Sequence, residues 1–115
     1  MFLRIAITAQ TVALLLQAVT AGLLLTSPGG RMAHSATAVG VVVTVLLHLV
    51  AALVSRRVGA ILPAAGMLVM TLAQVALGMA HVKSLHVPLG VLMFGVSMAQ
   101  LARLWSVSRT QTASA

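Results

Sequence analysis

The chain has 115 residues, 61% of them hydrophobic and 6% charged, with a mean hydropathy of +1.15; a soluble domain of that composition would expose large apolar patches, so it reads as one membrane-embedded domain. Seven Lys and Arg stand against no Asp or Glu, but the cations are isolated at the ends of apolar runs and aromatic residues for base stacking are scarce, which argues against nucleic acid as a partner. Cysteine is absent, which removes disulfides, thiolate metal sites and thiol catalysis.

Uncharged runs cover residues 5–30, 32–55, 58–82 and 84–102. Each reaches the roughly 20 residues that a helix needs to cross the hydrocarbon core. The expectation is therefore an all-α, up-down-up-down four-helix transmembrane bundle with helices at 3–25, 34–55, 60–81 and 87–105 and a polar tail at 106–115. The first run is longer than the roughly 7–15 apolar residues of a secretory signal core and no A-x-A site precedes the turn, so it reads as a retained helix. Pro63 and Pro88 are placed in the first turns of the third and fourth helices, where a missing N–H costs little. Arg4, Arg56, Arg57, Arg103 and Arg109 gather on one side and only Arg31 and Lys83 on the other. That bias predicts both termini in the cytoplasm of a bacterial plasma membrane. His34, His81 and His86 then lie toward the outer face.

The two hairpins run in step at their polar positions. Gln17 in "LQAVTAG" matches Gln74 in "AQVALG", and His34 at the start of the second helix matches His86 at the start of the fourth. Fourteen residues after His34 comes His48, and 14 after His86 comes Gln100. A pseudo-two-fold repeat of hairpins about an axis along the membrane normal would bring His34 and His86 to one depth on opposite sides of the bundle axis. Two imidazoles so placed reach a central object from opposite faces, as the axial ligands of a haem iron do.

Ionisable residues at membrane depth tend to mark function, although a single His at a helix end is often only interfacial. Gly90, one turn beyond His86, offers a slot for a flat ring, or else simply close helix packing. Arg31 and Lys83 are candidate partners for haem propionates, or flank the spans with their heads in the interface. His81, seven residues after Gln74 and on the same face of its helix, is assigned a supporting role rather than that of a ligand. His48 lies about 21 Å from His34 along one helix, a spacing that would suit a second haem were its counterpart not Gln100; a buried His bonded to Gln100 or Gln10 is the preferred reading. Gln10, Gln17, Gln74 and Gln100 are expected to face the interior as hydrogen-bonding glue or as cofactor contacts. The Met-x-His pairs Met32/His34 and Met79/His81 suit copper by ligand type, a reading ranked well behind haem.

With "GRMAHS" around His34, "SLHVPLG" around His86, and the helix ends from Gln17 to Gly22 and from Gln74 to Gly78, the chain resembles one four-helix half of the haem A synthase family. The resemblance implies a haem-site His on the second helix and another on the fourth. That family's catalytic half has a glutamate one turn before its second-helix His and an arginine directly after it, where this chain has Arg31 and Ser35. The resemblance therefore implies a haem b site rather than the synthase reaction. The leading expectation is a minimal b-type cytochrome: one haem b held by His34 and His86 near the outer face, carrying electrons to or from a quinol or another redox membrane protein. An accessory subunit or scaffold of a larger complex, with homo-oligomerisation open, is the alternative. A transporter ranks lower, because no intramembrane carboxylate is available for a relay. No acid, base or nucleophile constellation points to an enzyme.

Overall fold

The computed structural model describes residues 1–115. Four helices follow one another, α1 (Phe2–Leu23), α2 (Gly30–Ser55), α3 (Val58–Met79) and α4 (Lys83–Ala113), and they make the chain 88% helical with no strand. Each is long and apolar enough to span a membrane. In lipid a helix satisfies its own backbone groups, which is why a sequence this apolar resolves into helices joined by minimal connections.

The connections force consecutive helices into antiparallel hairpins. Between α1 and α2 the chain turns through "LTSPGG", and Gly30 is indispensable there: a Cβ on it would fall 2.3 Å from the carbonyl oxygen of Leu23. Two residues join α2 to α3, with Arg56 in the left-handed region at φ 54°. Three join α3 to α4, where His81 takes φ 58° and the Val82 N–H donates to the Leu77 carbonyl at 3.0 Å. That is a Schellman-type end to α3 with His in the position glycine usually fills.

Helix α1 packs on α2 and α4, and α3 packs on α2 and α4; the diagonal pairs α1/α3 and α2/α4 nowhere bring Cα atoms within 8 Å. The result is a square bundle 54 Å long and 23 by 21 Å across. Its core is one layer with side chains from every helix: Leu14, Val41, Val45, Met67 and Met93. Only 17 of 115 residues are buried, while Leu15, Val19, Leu46, Val69 and Leu92 on the four outer faces are about half exposed or more. An apolar exterior around a thin core is what a bilayer, rather than water, stabilises.

The helix boundaries differ from the sequence expectation. Helices α2 and α4 start four residues early, at Gly30 and Lys83 rather than 34 and 87, and α3 starts at Val58 rather than 60. Pro63 and Pro88 consequently each stand at the sixth residue of their helix, past the first turn, where each deprives a carbonyl one turn back of its donor. At the other end, 106–113 is not a polar tail but the continuation of α4. Nothing there breaks a helix, and the Ser106, Ser108, Thr110 and Thr112 hydroxyls donate to carbonyls three or four residues back in their own helix. His81 lies beyond the end of α3, so it does not share a helical face with Gln74.

Candidate functional site

The N-termini of α2 and α4 and the C-termini of α1 and α3 meet at one end of the bundle. His34, the fifth residue of α2, and His86, the fourth of α4, both project inward there from diagonally opposed helices. Their ring centroids are 6.3 Å apart with an interplanar angle of 69°. Both rings are half-buried.

Each ring is held by the glutamine of its own hairpin. On the first side, Gln17 Nε2 lies 3.1 Å from His34 Nε2 and Thr20 Oγ1 lies 3.3 Å from His34 Nδ1. Thr20 and Thr37 place their hydroxyls 2.8 Å apart, and Thr37 donates to Gln17 Oε1. One proton placement closes this ring of four: His34 Nδ1–H to Thr20, Thr20 to Thr37, Thr37 to Gln17 Oε1, and the Gln17 amide to His34 Nε2. His34 is then neutral with its lone pair on Nε2. On the second side, His86 Nδ1–H donates to the Gln74 backbone carbonyl at 3.0 Å and Gln74 Nε2 donates to the His86 carbonyl at 2.8 Å. In the neutral ring this bond leaves the lone pair on Nε2, the orientation that a backbone acceptor behind a ligating imidazole normally fixes.

The glycines of this end serve His86 and its glutamine. A Cβ on Gly78 would come 3.2 Å from His86 Cε1, and one on Gly90 would come 2.9 Å from Gln74 Nε2. The slot beside Gly90 that sequence reasoning assigns to a flat ring is therefore taken by the Gln74 amide. Gln74 Oε1 is buried without a donor.

Arg31, second residue of α2, and Lys83, first residue of α4, are exposed. Both lie at positive helix ends, where a cation costs about 0.3–1 kcal/mol and an anion would be favoured. No side-chain carboxylate exists in the chain to offset them. His81 is exposed and outside the pair.

A second polar layer crosses the bundle deeper in. His48, 1% exposed, bonds through Nδ1 to Gln10 Oε1 at 2.8 Å. Gln10 Nε2 donates to Ser97 Oγ at 2.9 Å, and Ser97 meets Thr11 Oγ1 at 2.7 Å. Of the two glutamines expected beside His48, it is thus Gln10 that binds it; Gln100 stands apart with its Oε1 buried and unpartnered. Sequence reasoning passed over Thr20, Thr37, Thr11 and Ser97. Thr20 and Thr37 stand three residues after Gln17 and His34, one helical turn along the same faces, which is the pattern that would have flagged them.

No three His, Cys, Asp or Glu side chains come together to hold a metal ion by themselves. No family model, curated protein or solved structure matches the chain.

The donor set fits a haem better than a bare ion. Two imidazoles face each other across the bundle and no further protein donor completes a tetrahedral or octahedral shell. Two imidazoles with ring centroids 6.3 Å apart would serve a group that takes one nitrogen donor from each and brings its remaining donors with it. One bond must yield for this, the Gln17 amide on His34 Nε2.

Proposed function

We propose that this protein binds one haem b between His34 and His86 at the histidine end of the bundle and serves electron transfer in a membrane. The observation that carries the reading is the inward pair itself: two imidazoles on diagonally opposed helices with ring centroids 6.3 Å apart, each with Nδ1 against a hydrogen-bond partner. Haem with two imidazole ligands supplies one-electron transfer with no open iron position. The chain's own residues do the rest. Gln74 fixes the His86 ring through its backbone carbonyl, Thr20 holds Nδ1 of His34, and the Leu14, Val41 and Met93 layer below keeps water from the pair. Arg31 and Lys83 are the positions for propionates, whose charge would offset two cations now set against helix dipoles. By the charge bias, the histidine end faces away from the cytoplasm and both termini lie within it.

The accessory-subunit reading draws on a different observation: the closed ring of His34, Thr20, Thr37 and Gln17 satisfies His34 with no ligand at all. A single preparation separates the two. Purified from haem-replete cells, the protein is expected to be coloured, with a sharp Soret band and reduced-minus-oxidised bands of low-spin haem b. A colourless preparation that takes up no added haem contradicts the proposal and leaves the scaffold.

A further inference from the structure

At the end of the bundle away from the histidines, between α3 and α4, a cleft of about 300 Å³ opens beside Pro63, Gly66, Met70, Val96, Gln100 and Arg103. That volume is at the low end for small-molecule sites. Three features make it more than a packing gap. Gly66 leaves the α3 wall without a side chain, and a Cβ built on it meets no atom within 4 Å. Gln100 Oε1 is buried with no donor, and a buried amide oxygen left unpaired is costly in an apolar setting. Arg103, one turn beyond Gln100 on the same face, lines the same cleft, and the chain offers it no carboxylate side chain.

We propose that this cleft binds the headgroup of an anionic phospholipid that carries a hydroxyl, a glycerol phosphodiester being the simplest. The phosphate pairs with the Arg103 guanidinium. The headgroup hydroxyl donates to Gln100 Oε1 once the Gln100 amide turns into the cleft, and Met70 and Val96 continue the cleft as apolar wall toward the bundle centre. Charge complementarity selects the lipid over a neutral hydroquinone: Arg4, Arg56, Arg57, Arg103 and Arg109 all belong to this end, and anionic leaflets attract such clusters. No aromatic side chain lines the cleft to stack on a quinone ring. The site is separate from the histidine pair and stands or falls without it.

The test is native mass spectrometry of the full chain from mixed micelles. Phosphatidylglycerol, phosphatidylmethanol (the same charge without the hydroxyls), phosphatidylcholine and a short-chain hydroquinone serve as probes. The wild type should retain phosphatidylglycerol about tenfold or more over phosphatidylcholine and about threefold over phosphatidylmethanol. Arg103→Gln should lose the first preference, and Gln100→Leu should lose only the second. Gly66→Leu, which fills the cleft without touching either polar group and favours the helix, should lose both with helicity unchanged. Arg109→Gln, outside the cleft, should lose neither. Equal effects of Arg103→Gln and Arg109→Gln would reduce the binding to general surface charge and overturn the proposal. So would hydroquinone retention that depends on Gln100 and not on Arg103, or preferences that survive Gly66→Leu.

Discussion

Two polar layers cross this bundle, and they differ in how completely they satisfy themselves. The deep layer of His48, Gln10, Ser97 and Thr11 is buried and made of side chains from α1, α2 and α4, each bonded to another. The layer at the histidine end is half-buried, holds two imidazoles bonded through Nδ1, and keeps a buried acceptor, Gln74 Oε1, without a donor. The deep layer bonds within itself, as a rigidifying core network does; the outer one keeps an unpaired buried acceptor and is flanked by cations lacking counter-charges, which is where the proposed ligand would sit. The same residue types, His and Gln, build both layers, and the proposed ligation belongs to one of them only. Depth and partners, not composition, separate them.

Substitutions sharpen that contrast in a graded order. His34→Ala and His86→Ala should each abolish the low-spin haem spectrum, the largest effect, because one imidazole cannot complete the axial pair; an unchanged spectrum in either would break the ligand assignment. His48→Leu should leave haem content per chain unaltered and lower unfolding stability by about 1–3 kcal/mol, since Gln10 Oε1 loses its buried partner. Haem quantitation by pyridine haemochrome alongside a thermal melt separates these outcomes, and a halved haem content would turn the deep layer into a second site. Gln17→Leu should keep the spectrum and cost about 0.6 kcal/mol of stability, the mean worth of an interhelical side-chain hydrogen bond in a membrane bundle. The spectrum is kept because haem ligation already gives up the Gln17 bond to His34, and the cost is that of the Thr37 bond to Gln17 Oε1. Exposed charges come last: Arg31→Gln with Lys83→Gln should weaken haem retention by less than about 1 kcal/mol, read as dissociation to apomyoglobin, and less still at high salt.

The four spans, their antiparallel order and the matched placement of a Gln and a His in each hairpin are legible, because each rests on local pattern: run length, short polar breaks, and polar residues recurring at equal spacing; that each Gln bonds its own His is not. Helix limits were less so. Gly30 and Lys83 open helices before the apolar runs become obvious, and both prolines were mistaken for first-turn residues because proline is allowed wherever the chain can give up one N–H. The continuation of α4 to Ala113 was hidden by its Ser and Thr, whose hydroxyls bond to the helix's own carbonyls instead of ending it. His81 was misplaced because a left-handed cap at a histidine leaves no glycine to mark it. At the site, the pairing of His34 with His86 follows from the repeat, whereas the role of Gly90 does not. Whether a small residue seats a cofactor or a glutamine depends on what the facing helix presents, and only the assembled bundle answers that.

The most direct measurement is the electron paramagnetic resonance spectrum of the oxidised wild-type protein, joined to near-infrared magnetic circular dichroism to name the axial ligands. The account predicts a low-spin ferric haem with two imidazole ligands, lost in both His34→Ala and His86→Ala. Imidazole–thioether ligation, a high-spin iron, or a bis-imidazole signal that survives either substitution would contradict it.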